Sequence, residues 1–501
     1  MTPRRQYLLN IAWSSVGAVA LILSGLIVAP FLIRQLGAER YGVWTLALSL
    51  VDYFWLIDFG VRPATVKLTA EYRALEQWDR LNSLLSTAAA YSLVMGGLIL
   101  LGFWSSAHII ADFLHIQDPN FPFLLRVVSL IWGMGLVFNT FSAMLEGFQR
   151  FDLSNHVFVL YSLLRSIALP VTIYLGYGLR EMGYAVLILQ IATYAAFLTA
   201  AILVYPRMRI GLALVTKETA LNIFQYARQM TSSIVSLRLL SAGMPALIAY
   251  FLPVRFVTYY TATQKLFEYG MEGIGRVSLI IVPRTSDWLA RGKRDAIVYL
   301  GYYANSYAAV AWLAMCSFLA VYGTSFFRLW VNDDFATHTE TLVIVMAAGQ
   351  ALWPGLTICT AILTGIGKFG VFSNYILLEA VLTLTGAALV LPNLGLPYVA
   401  ALVGVLLTLN RCLNLARLYC REFQLRPVSF LWRVYAWPVT LASTGVLCLY
   451  LTRKLLIPGA TWSQLLVVGS IYVTLYVLAA FFLILHPDHR RLVRQFVRKY
   501  V

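Results

Sequence analysis

Charge is scarce in this chain of 501 residues. Asp, Glu, Lys and Arg make up 12% of it and hydrophobic residues supply 60%, whereas soluble domains carry about a quarter charged residues. That balance excludes a soluble globular protein and calls for an all-α polytopic membrane protein. Cysteine is equally sparing. Cys316, Cys359, Cys412, Cys420 and Cys448 are scattered, mostly within apolar runs, with no C-x-x-C pair or metal spacing, so they read as small core residues. The six histidines form no metal-ligand cluster, and no metal or bound cofactor is called for. No loop between apolar runs exceeds about twenty-five residues, which leaves no room for a soluble catalytic domain.

What the chain has instead is a series of long apolar runs. The first, Leu9 to Ile33, follows Arg4 and Arg5 and is too long for a signal-peptide core, so it reads as an uncleaved span. Further spans are expected at about 41–61, 81–104, 122–147, 153–176, 182–205, 221–251, 256–283, 297–323, 340–366, 371–391, 395–417, 430–452 and 463–485, about fourteen helices in all. Between spans two short pieces stand out. His108 to Ile116 reads as a stretch along the outer interface, and Pro487 to Val501 as a basic amphipathic helix anchored on the inner surface.

The net charge of +16 would point to nucleic acid in a soluble chain, but its placement argues for membrane orientation and against a nucleic-acid partner. With the N-terminus inside, about twenty-five Lys and Arg residues fall on inner loops and helix ends, against seven or eight outside. Arg411 is counted among the inner ones. A multi-pass protein with both termini cytoplasmic is expected.

Shifting the chain by about 215 residues superposes Pro30 on Pro245, Arg40 on Arg255 and Gly60 on Gly275, the signature of an internal repeat. The copies start an even number of helices apart and so share orientation. Two six-helix lobes, 1–210 and 211–425, are expected, related by a pseudo-two-fold axis along the membrane normal. Residues 426–501 add two helices and the basic tail.

Candidate functional residues are the charges at membrane depth, where each costs at least roughly 2.5–3.5 kcal/mol. Lys265, Glu268, Glu272 and Arg276 follow at steps of three, four and four, on one face of a helix. They read either as two ion pairs holding helices together, Lys265 with Glu268 and Glu272 with Arg276, or as a polar path. In the N-terminal counterpart, Asp52 sits deep and Asp58 lies near the inner end, where Arg62 is a fair partner. Arg165 and Arg238 each need a carboxylate, an aqueous cavity or an anionic ligand. Glu379 is more isolated, either a proton site or a carboxyl kept neutral by burial. Three of the four deep cations are Arg, whose fork matches phosphate oxygens. Tyr53, Trp55, Tyr259 and Tyr260 offer rings for stacking on sugars, or are core and interface-belt residues.

Three segments carry a family resemblance. Asn10-Ile-Ala-Trp13, Ala29-Pro30-Phe-Leu-Ile-Arg34-Gln-Leu-Gly37-Ala-Glu39-Arg40-Tyr41-Gly42 and Leu56-Ile-Asp58-Phe59-Gly60 resemble the opening of the Wzx-type polysaccharide flippases. These belong to the multidrug/oligosaccharidyl-lipid/polysaccharide exporter superfamily. The resemblance covers about the first eighty residues, and in hydropathy the whole chain. It implies a two-lobe, alternating-access flippase moving undecaprenyl-pyrophosphate-linked oligosaccharide from the cytoplasmic to the periplasmic leaflet. It also implies coupling to a proton or sodium gradient, with polysaccharide polymerase and chain-length machinery as partners beside the lipid bilayer.

Carried onto this sequence, the resemblance makes Arg238, Lys265, Arg276 and Arg165 the pyrophosphate-binding cations, with Tyr259 and Tyr260 beside the cargo. Asp52, Asp58, Glu268, Glu272 and Glu379 are then the coupling or gating carboxylates. Fourteen spans also resemble the lipid II flippases, but Leu9 to Ile33 lacks their first-helix arginines. Two other readings stand beside this one. A cation-coupled drug exporter of the same superfamily would favour a carboxylate-rich cavity, which the deep arginines oppose. A membrane-embedded glycosyltransferase or polymerase would need a larger extramembrane loop; the only paired carboxylate outside, Asp333-Asp334, reads as a solvated turn.

Overall fold

The architecture follows from where apolar runs are interrupted. In the computed structural model, which describes residues 3–51, 60–459 and 461–491, every regular element among the described residues is a helix. Side chains at 3–21, 23, 51, 226–238, 241, 242 and 279 lie outside the description. The helices are α1 (Pro3–Val51), α2 (Val61–Ala74), α3 (Trp78–Phe113), α4 (Asn120–Gly147), α5 (Phe151–Tyr174), α6 (Leu179–Val204), α7 (Lys217–Phe251) and α8 (Arg255–Ala290). They continue as α9 (Arg294–Trp330), α10 (Asp333–Gly349), α11 (Thr357–Gly365), α12 (Phe369–Leu394), α13 (Leu396–Leu407), α14 (Leu415–Glu422), α15 (Pro427–Leu455) and α16 (Trp462–Leu483). A 3₁₀ turn at Trp353–Leu356 joins α10 to α11, and a π-helical turn at Thr408–Asn414 joins α13 to α14.

Ten of the described helices or helix pairs are long and apolar enough to cross a membrane. The remaining four expected spans fall on α1, α7 and α8 and on residues 52–59, which lie outside the described residues. Within α1 the chain breaks at Gly37 (φ 79°, ψ 162°), a backbone region open essentially only to glycine. The expected outer turn therefore sits there. One expectation is corrected: His108 to Phe113 forms the last turns of α3. The Trp78–Phe113 run carries no helix breaker, so nothing separates an interfacial piece from the span. The basic tail from 492 onward lies outside the described residues.

The chain forms two compact units, Met1–Thr258 and Tyr259–Val501. In the first, Leu81, Leu84 and Leu85 of α3 meet Met144 and Leu145 of α4 around Ala64 and Ala201. The turn that opens α8 packs on the turn in α1: Thr258 Oγ1 donates to the Ala38 carbonyl at 2.6 Å. A Cβ at Gly42 would lie 2.4 Å from the Val254 carbonyl oxygen, so only glycine admits this approach. These are the two turns that the 215-residue shift superposes. By contrast α5 buries only Ser154 and Leu169, leaving a broad apolar surface suited to lipid. In the second unit, α9 runs through the core, packing Ile297 and Ala309 against Ile358, Tyr419, Phe430 and Val434. A separate cluster seats α16 on α9 through Tyr322, Leu465, Val468 and Tyr472.

Candidate functional site

In the first unit, α5 is tied to α1 by a hydrogen bond between the Ser24 and Ser166 hydroxyls. The neighbouring residue is Arg165, fourteen positions after Phe151 and so about 21 Å along α5. Its Nε is buried and has no hydrogen-bond partner among the described residues. A buried guanidinium nitrogen without a partner among the described residues is a donor available to an oxyanion. Arg238 lies on α7, but its side chain is outside the description, and Asp52 and Asp58 lie outside the described residues.

Arg62, expected beside Asp58, donates to Glu146 of α4 at 2.6 Å and to Ser142 Oγ at 3.4 Å. Thr65, Ser92, Asn139 and Thr140 join it in lining a narrow crevice between α2, α3 and α4. Glu146 was not singled out from the sequence, because its position in the last turn of α4 looks like an ordinary surface carboxylate.

The charge row on α8 folds as the spacing predicts. Lys265 Nζ lies 2.6 Å from Glu268 Oε2, and Arg276 Nη2 lies 3.6 Å from Glu272 Oε2. Both pairs are therefore made within the helix. The side chains stay open, with Lys265 56% and Glu272 56% exposed. Charges this exposed at membrane depth face water or ligand, since hydrocarbon cannot solvate them.

Tyr259 and Tyr260 part company. Tyr259 is buried, with its ring stacked on His338 at 5.0 Å and Phe335 edge-on at 5.3 Å. Its hydroxyl donates to Asp334 at 3.4 Å, so ring and hydroxyl are both engaged within the second unit. Tyr260 is half-buried.

Glu379 is the clearest correction. It is not isolated: Arg411 approaches it at 2.7 Å, with the Glu379 side chain 1% and the Arg411 side chain 16% exposed. Asn410 adds a hydrogen bond to Oε2 at 2.7 Å. The positive-inside count places Arg411 among the inner loops and helix ends, whereas the structure pairs it with Glu379. A signal was present, however. Glu379 is ten residues from Phe369, and Arg411 eleven from Glu422, so on two antiparallel neighbours they stand at one depth.

This is the fold of a polytopic membrane protein, and solved transporter structures share it. An inward-facing multidrug resistance MATE family transporter of the MOP superfamily matches with a TM-score of 0.67 at 14% identity. That match covers 85% of this chain and 95% of the other. The lipid II flippase MurJ in an inward closed conformation matches with a TM-score of 0.67 at 12% identity, over 93% of this chain and 98% of that one. At such identities the likeness establishes the fold. In sequence, residues 7–287 match the family described as Polysaccharide biosynthesis protein. That is more than half of the chain, and the chain belongs to this family. A putative O-antigen transporter from Shigella flexneri is 24% identical over 151 residues, 29% of this chain and 35% of that protein. The chain thus matches about a third of that relative's length. Family and fold together define a polytopic membrane protein of a polysaccharide biosynthesis family, with the fold that MATE and MurJ structures share.

Proposed function

We propose that the chain is a flippase that moves undecaprenyl-pyrophosphate-linked oligosaccharide across a bacterial cytoplasmic membrane by alternating access. The headgroup enters from the cytoplasmic leaflet and leaves to the periplasmic one, the lipid tail stays in the bilayer, and a proton or sodium gradient supplies the drive. Membership of a polysaccharide biosynthesis family and the MATE- and MurJ-like fold support transport of such a precursor. The observation that carries the reading is Arg165, a cation at membrane depth whose buried Nε has no partner among the described residues. A drug exporter of apolar cations gains nothing from such a group, whereas a diphosphate does. The exposed charges of α8 support a hydrated route for a polar headgroup.

The test is a strain lacking the protein, in which lipid-linked oligosaccharide is assigned to its leaflet. Build-up on the cytoplasmic side that the wild-type gene relieves supports the reading. Arg165→Gln, inserted at wild-type level, is expected to lower relief at least about tenfold, the scale of one lost charge-assisted hydrogen bond. Absence of build-up in the deletion strain overturns the flippase reading.

A further inference from the structure

Where α12 meets the π-helical turn of the second unit, a set of hydrogen-bond donors converges on one carboxylate. Arg411 binds Glu379 through Nε at 2.9 Å and Nη2 at 2.7 Å, both to Oε1. Asn410 Nδ2 donates to Oε2 at 2.7 Å and to the Tyr375 carbonyl at 3.1 Å. Asn414 in turn donates to Asn410 Oδ1 at 3.0 Å, which fixes the Asn410 amide with its hydrogens toward α12. The Arg411 guanidinium lies 5.0 Å from the centre of the Trp353 ring. The Nε1–H of that indole is buried with no hydrogen-bond partner.

Two features set this cluster apart from a structural ion pair. An apolar pair of similar volume would hold two helices at least as well. The pair is also presented by a π-helical turn, an irregularity that recurs at functional sites and here lets consecutive residues, Asn410 and Arg411, reach the same carboxylate. The side chains that bond Glu379 are both donors, a planar guanidinium fork and an amide. Such a set suits an oxyanion in general, and a carboxylate or a phosphate equally.

We propose that Arg411 and Asn410 form a phosphate-type oxyanion site, backed by the Trp353 ring under the guanidinium, and that Glu379 is a tethered anion occupying it until an external one exchanges in. The choice of phosphate over other oxyanions rests on the lipid-linked cargo proposed above; the exchange itself does not. Glu379 then makes the site weak at rest, since the incoming anion must displace a carboxylate held by three short hydrogen bonds. The site becomes strong once that carboxylate is removed.

The full chain in lipid nanodiscs is titrated calorimetrically with inorganic pyrophosphate and, separately, with farnesyl pyrophosphate. Glu379→Gln keeps the volume and the bond from Asn410 but removes the charge. It is expected to bind pyrophosphate at least about tenfold more tightly than wild type, and Glu379→Gln with Arg411→Gln is expected to lose the gain. Glu379→Asp, one methylene shorter, should show a smaller gain and serves if the Gln variant fails to fold. A gain with both ligands assigns the site to the free anion, and one with farnesyl pyrophosphate alone to a lipid headgroup. Either supports the site. Wild-type affinity in both single variants, or a gain that survives loss of Arg411, overturns it. The leaflet assay in the deletion strain is independent, so failure here leaves the flippase reading standing.

Discussion

Adding a single methyl group at Gly96 should destabilise the first unit, while the same change one residue later should not. On α3, a Cβ built at Gly96 falls 2.3 Å from the Gly133 carbonyl oxygen of α4, 3.0 Å from its carbon and 3.3 Å from its Cα. Restoring ordinary contact requires the two backbones to part by about 1 Å, which forfeits a quarter to a half of the dispersion attraction of each atom pair nearby. At about 0.1–0.2 kcal/mol per pair, some tens of pairs along this seam give a loss of about 2–3 kcal/mol, within the usual cost of overpacking. Replacing a helical glycine returns about 1 kcal/mol. The net expectation for Gly96→Ala is a destabilisation of about 1–2 kcal/mol.

Gly97 supplies the control, since nothing lies within 4 Å of its built Cβ. Gly97→Ala should stabilise by about 0.5–1 kcal/mol. Gly133→Ala meets the Gly96 carbonyl oxygen at 2.9 Å, a smaller intrusion, and should lie between them. Reversible unfolding in mixed micelles gives the three values in one series. If Gly96→Ala proves as stable as Gly97→Ala, the close approach does not determine α3–α4 packing and the reasoning fails.

Two further outcomes follow from local geometry. Gly37→Ala should cost about 1–3 kcal/mol in the same unfolding assay, because φ 79° with ψ 162° is closed to residues with a Cβ. Nothing lies within 4 Å of its built Cβ, so relieving contacts elsewhere should not rescue it. A double-mutant cycle on Lys265 and Glu268 should give a coupling below about 1 kcal/mol despite their 2.6 Å separation, because half-exposed pairs are screened by water. A coupling of several kcal/mol would place the pair in hydrocarbon and contradict a hydrated face.

The sequence was most legible where physics is one-dimensional. Length and apolarity place ten spans without reference to neighbours, and the 3, 4, 4 spacing pairs Lys265 with Glu268 and Glu272 with Arg276 because i,i+3 and i,i+4 partners are set by the helix alone. Tyr259 was ambiguous for the opposite reason. Whether an aromatic ring meets cargo or core depends on what another helix brings, here His338 and Phe335 from α10. Glu146 and Arg411 were missed on the same ground, since their partners Arg62 and Glu379 are 84 and 32 residues away in sequence.

Depth matching would have found the second pair. Positive-inside counting treats each arginine as a surface charge and asks only which loop is nearer. It cannot register a cation neutralised within the bundle, because a neutralised cation no longer reports on orientation. A deep carboxylate on one span is therefore a reason to search neighbouring antiparallel spans for a cation at equal depth before counting. Applied to Glu379, that search reaches Arg411, and removing it from the inner tally leaves about twenty-four against seven or eight. Applied to Arg165, the structure shows no such carboxylate bound at its buried Nε. Arg411 thus has a carboxylate at its own depth, whereas the buried Nε of Arg165 has none among the described residues, and that difference is why the two arginines are proposed for different work.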